Sequence, residues 1–136
     1  MFGNKVPKPS GRIDSLIGAG TVVEGDVGFS GGLRVDGVVK GNVTATGDQS
    51  STLVLSELAC IEGEIRVAHA VLNGTVLGAV HAGEYVELQA KARVTGDVHY
   101  RSLEIHLGAV VQGRLVHREP VGLGNVLALK AAVASD

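Results

Sequence analysis

The chain has 136 residues, a formal net charge of −2, 45% hydrophobic residues, 20 glycines, 3% aromatics and a single cysteine. One cysteine excludes a disulfide scaffold. Glycine without a Gly-X-Y period excludes collagen, and this apolar content excludes disorder over most of the length. A slightly acidic balance argues against a nucleic-acid partner, whose footprint is a basic face.

Residues 1–12, MFGNKVPKPSGR, hold two of the three prolines and show no periodicity, which predicts a flexible tail. The tail carries Lys5, Lys8 and Arg12 and no acid, whereas the remaining 124 residues hold 9 Lys+Arg against 14 Asp+Glu. Met1 and Phe2, beside those three cations, form a candidate contact with an anionic lipid surface. The competing reading is a solvated leader with no partner. No apolar run approaches the roughly 18 to 20 residues that span a bilayer, and no secretory segment is evident, so the expected compartment is the cytosol.

From Ile13 to Arg118 the texture changes to short Val-rich segments punctuated by glycine. A unit of aliphatic-x-Gly-x-aliphatic occurs six times, centred on Gly25, Gly41, Gly63, Gly78, Gly96 and Gly113, at spacings of 16, 22, 15, 18 and 17. The flanking positions are Val, Ile or Leu in all twelve instances, and the residues between are polar in ten, Leu77 and Ala79 being the exceptions. Those two mark either a lateral contact or a tolerated exposed leucine. A second alternating pair precedes most copies: Leu33/Val35, Leu53/Leu55, Ala70/Leu72, Val86/Leu88 and Leu103/Ile105. Alternation means strands with one buried face. Strands this short, recurring every ~17 residues with no helical crossover between them, predict a parallel β-helix of about six rungs with like residues stacked one rung apart. The domain is expected to span 13–118. Residues 119–136 form a C-terminal tail whose stretch 123–133 is either a short helix or frayed.

An uncapped coil exposes unpaired strand edges and an apolar column at each end. The candidate self-assembly residues are therefore Ile17, Val22, Val23, Val27 and Phe29 at one end and Val111, Leu115, Val121 and Leu123 at the other.

With the repeats laid out, the chain resembles the bactofilins, polymer-forming cytoskeletal proteins of bacteria. The residues that carry the likeness are the run from Ile17 to Val27, the block Leu33-Arg34-Val35-Asp36-Gly37-Val38-Val39-Lys40-Gly41-Asn42-Val43, Val94 to Val98, Leu103-Glu104-Ile105, and the opening Met1-Phe2 followed by Lys5. The resemblance implies a right-handed, single-domain, all-β helix with weakly ordered termini that joins end to end into nucleotide-free filaments without polarity. It also implies an N-terminal contact with the inner membrane and a scaffolding role for cell-shape and envelope factors, without enzymatic activity.

The alternative is a hexapeptide-repeat acyltransferase or another β-helical binding enzyme, and the former places an aliphatic residue every six positions. The series Ile17, Val23, Phe29, Val35 does so, as do those starting at Leu55, Leu88 and Ile105. The four series occupy different registers, whereas a hexapeptide helix holds its register. No cofactor or metal is expected. His81 and His99, each three residues after a repeat glycine, are expected to stack in neighbouring rungs as a surface ladder. His69, His106 and His117 complete no ligand spacing. Cys60 falls where other copies carry Val22, Val38, Thr75, Arg93 and Val110, a plain strand position. Glu62 and Glu64 share an outer strand face without the cleft that paired catalytic carboxylates require. No phosphate-binding glycine loop precedes a helix, so no nucleotide is expected.

Overall fold

The computed structural model describes residues 13–47 and 50–118, whose regular elements are all β-strands, joined by turns and short irregular segments. Rung one consists of β1 (Ser15–Ile17), β2 (Val22–Glu24) and β3 (Val27–Phe29), and rung two of β4 (Gly32–Val35), β5 (Val38–Lys40) and β6 (Val43–Ala45). Rung three holds β7 (Thr52–Leu55), β8 (Cys60–Ile61) and the first part of β9 (Ile65–Leu72). Rung four holds the rest of β9, then β10 (Thr75–Leu77) and the first part of β11 (Val80–Leu88). Rung five continues along β11 into β12 (Arg93–Thr95) and β13 (Val98–Tyr100), and rung six closes with β14 (Ser102–Ile105), β15 (Val110–Gln112) and β16 (Leu115–His117). The described residues form an all-β parallel solenoid of six turns with three faces per turn.

The second face is a six-stranded sheet in the order β15-β12-β10-β8-β5-β2. The first and third faces merge into one ten-stranded sheet because β9 and β11 run through the corner between them. Every strand pair among the described residues is parallel, and the stacking follows the repeat. On the second face Val23, Val39, Ile61, Val76, Val94 and Val111 form one column. On the third face Val27, Val43, Ile65, Val80, Val98 and Leu115 form another. The first face adds Ile17, Val35, Leu55, Leu72, Leu88 and Ile105. Three aliphatic columns thus meet inside a narrow triangular tube, a lumen suited to branched aliphatics.

The glycines mark the corner between the second and third faces. A β-carbon at Gly41 would lie 2.2 Å from the carbonyl oxygen of Gly25, and one at Gly113 would lie 2.1 Å from that of Gly96. The backbone turns so tightly there that each glycine sits on the one below it. The polar residue after the glycine has its own task at this corner. Asp26 Oδ1 accepts the amide of Asn42 at 2.9 Å, Asn42 Oδ1 accepts that of Glu64 at 2.9 Å, and Asp97 Oδ1 accepts that of Arg114 at 2.9 Å. These side chains satisfy amides that the sharp bend turns out of the ladder. The bond from the Arg114 amide, ahead of the nearby guanidinium, lowers the Asp97 pKa.

The slipping six-residue beat has a simple cause. Between the first and second faces, rungs one, three, five and six carry a four-residue turn closed by an i to i+3 bond, such as Ala59 N to Ser56 O at 3.1 Å. Rungs two and four use two residues, Asp36-Gly37 and Asn73-Gly74. The beat holds through the long turns, as from Leu55 to Ile61, and drops two residues at the short ones, as from Val35 to Val39.

Candidate functional site

The two ends of the coil are the places where the repeating architecture is left unfinished. Rung one pairs through β1, β2 and β3 with rung two, and rung six pairs through β14, β15 and β16 with rung five. Among the described residues, each end therefore presents one strand edge per face along the coil axis.

The side chains follow the same rule. Within rungs two to five all twelve residues of the three inner columns are buried, most of them completely. At rung one Ile17, Val23 and Val27 are half-buried. At rung six Val111 is half-buried, while Ile105 and Leu115 are 46% and 40% exposed. Among the described residues, the columns that are sealed in the middle open at both tips.

Of the sequence-selected tip residues, Ile17, Val23, Val27, Val111 and Leu115 line these openings. Val22 belongs to the outward column with Val38, Cys60, Thr75, Arg93 and Val110, so it flanks the tip. Phe29 departs from the expectation. It is only 8% exposed and joins the core, because it lies opposite Ala45, whose small side chain leaves room for the ring. Ile105 also lines the opening at rung six; the sequence expectation omits it, although its place in the second alternating pair marks it as a column member. Val121 and Leu123, the lipid-contact candidates Met1, Phe2, Lys5, Lys8 and Arg12, and the stretch 123–133 lie outside the described residues.

His81 and His99 are ladder partners with ring centroids 4.5 Å apart and planes within 9°. Arg118 Nε donates to His99 Nδ1 at 3.1 Å, so His99 accepts there as a neutral ring. Burial, followed by the charge of Arg66, lowers the His81 pKa, and burial followed by His81 and Arg118 lowers that of His99. Arg66, Arg118 and both rings line an open groove on the third face. Cys60 is a free, half-buried thiol whose pKa burial raises, followed by the effect of Glu62. Leu77 is exposed and Ala79 half-buried. The structure brings His106 beside Glu87 and Glu104, a proximity that no ligand spacing in the sequence announces.

A family model described as "Bactofilin: Polymer-forming cytoskeletal" matches residues 15–116. The chain belongs to the bactofilin family. It is similar to bactofilin BacP of Myxococcus xanthus (strain DK1622), at 29% identity over 107 residues covering 78% of this chain and 43% of that protein. It is also similar to bactofilin BacO of the same organism, at 26% identity over 102 residues covering 75% of this chain and 78% of that protein. The chain thus spans less than half the length of BacP. No solved structure matches it. Bactofilins are a structural, cytoskeletal family, and the matched segment coincides with the six rungs. No helix among the described residues is long and apolar enough to cross a membrane.

Proposed function

We propose that copies of this chain join tip to tip into filaments that need no nucleotide and have no polarity. These filaments form a scaffold at the cytoplasmic face of the inner membrane that organises cell-shape or envelope factors. The observation that carries the reading is the opening, at both tips, of three aliphatic columns that are sealed in rungs two to five. A second copy stacked on a tip continues the columns and pairs the exposed strand edges, removing an aggregation hazard by making it the joint. Family membership supports the same reading.

The test is negative-stain microscopy of the purified chain without nucleotide. Wild type is expected to form filaments, and the Val23→Glu/Leu115→Glu double variant to leave short, folded, soluble species. Filaments from a double variant that retains its β circular dichroism would overturn the reading.

The membrane part rests on the basic N-terminal segment. One inserted aromatic contributes about 2 kcal/mol, and each basic residue near an anionic leaflet about 1 kcal/mol. A single tail binds weakly, and a filament presenting many tails binds through avidity. Co-pelleting of polymer with anionic liposomes is expected to fall on Phe2→Ser substitution, and unchanged pelleting would remove the membrane contact.

A further inference from the structure

Glu87 and Glu104 stand directly opposite each other where β14 stacks on β11. Among the described ladder pairs this is the one place where two carboxylates face each other. On the second face, by contrast, Glu24 lies opposite Lys40. Like charges held in register repel, and the strand spacing of about 4.8 Å keeps them together. Between them sits His106, its Nε2 3.0 Å from Glu87 Oε2 and 3.1 Å from Glu104 Oε2.

The carboxylates are also held from the side. The Tyr85 hydroxyl donates its proton to Glu104 Oε1 at 2.9 Å and lies 3.4 Å from Glu87 Oε1, and Gln89 Nε2 donates to Glu87 Oε2 at 3.2 Å.

We propose that Glu87, Glu104 and His106 form a binding site for a divalent transition-metal ion that ties the sixth rung to the fifth. The three ligand atoms lie within 4.8 Å of one another. Metal bonds of about 2.1 Å at right angles place neighbouring donors about 3.0 Å apart, close to the two imidazole–carboxylate separations. One imidazole nitrogen beside two carboxylate oxygens suits zinc, cobalt or manganese better than calcium or magnesium. Three protein ligands leave positions for water, as in an open site. A bound cation offsets the repulsion between the facing carboxylates. Tyr85 and Gln89 act as outer partners that fix the carboxylate rotamers. The site lies on the first face, and it stands independently of the tip-to-tip reading.

Cobalt(II) titration of the full-length, chelator-stripped protein tests it, read by d–d absorption and by the shift in thermal midpoint. One ion per chain and a raised midpoint are expected. Folded Glu104→Gln and His106→Ala variants should each bind at least roughly 100-fold more weakly, and Tyr85→Phe about 10-fold more weakly. His99→Ala, in the other histidine pair, should bind as wild type does. Absence of a cobalt spectrum in wild type would overturn the site. So would unchanged affinity in folded Glu104→Gln, or loss of binding confined to His99→Ala.

Discussion

Gly63 stands so closely over Gly41 that a β-carbon on Gly63 would lie 2.2 Å from the Gly41 carbonyl oxygen and 2.5 Å from its carbonyl carbon. The atoms in the way are backbone, locked between two rungs, and cannot swing aside. Gly63 has no positive φ, so close approach alone requires glycine there. Gly83 provides the control, with no atom within 4 Å of its β-carbon position and no positive φ.

The expected outcome is that Gly63→Ala lowers unfolding stability by about 3 kcal/mol or more, at the upper end of overpacking costs, because backbone must shift. Gly83→Ala should change it by less than about 1 kcal/mol, with a stabilising sign from the reduced freedom of the unfolded chain. Urea unfolding followed by circular dichroism checks both. A Gly63→Ala effect as small as that of Gly83→Ala would show that the close approach does not require glycine.

The inner columns lead to a second contrast. Ile61 is fully enclosed in rung three, while Leu58, three residues earlier at a turn, is 78% exposed. Ile61→Ala removes buried methyl groups from a tube that cannot collapse and should cost about 2 to 5 kcal/mol. Leu58→Ala should stay within about 0.5 kcal/mol. Denaturant midpoints at constant m-value measure the difference.

His81 and His99 predict a pH dependence. Burial lowers both pKa values in the folded state, so the unfolded state binds more protons as pH falls. The stability is present in full above the ordinary histidine value of about 6.5. It is lost as pH falls through that value toward the lowered folded pKa. Wild type should therefore show a lower urea midpoint at pH 5.5 than at pH 7.5, and the His81→Asn/His99→Asn variant a smaller difference. The lowered carboxyl groups of Asp36 and Asp97 titrate below this window. An unchanged slope in the double variant would place the proton uptake elsewhere.

The columns were legible in the sequence because a stacked coil repeats its inward positions, and Val23, Val39, Ile61, Val76, Val94 and Val111 can be aligned on the glycine alone. The His81–His99 stack followed from the same alignment. Turn length was harder to read, because Asp36-Gly37 and Ser56-Glu57-Leu58-Ala59 close the same corner with different numbers of residues. Phe29 misleads for a different reason, since its burial depends on the smallness of Ala45 one rung away. The approach of His106 to Glu87 and Glu104 arises from outward positions in consecutive rungs, which are 17 and 19 residues apart in the chain and carry no ligand spacing.

The arrangement of copies can be read from one tip at a time. In a filament without polarity, like tips meet, and two kinds of joint alternate along its length. Val23→Glu then disables one kind and spares the other, so that variant should stop at dimers held through Ile105, Val111 and Leu115. Leu115→Glu should likewise stop at dimers held through Ile17, Val23 and Val27. In a head-to-tail filament every joint uses one tip of each kind, and either substitution alone yields monomers. A glutamate buried at the joint without a partner carries a desolvation cost large enough to prevent closure. Sedimentation equilibrium of the two single variants decides the matter: dimers from both support joints between like tips, and monomers from both would make the filament polar.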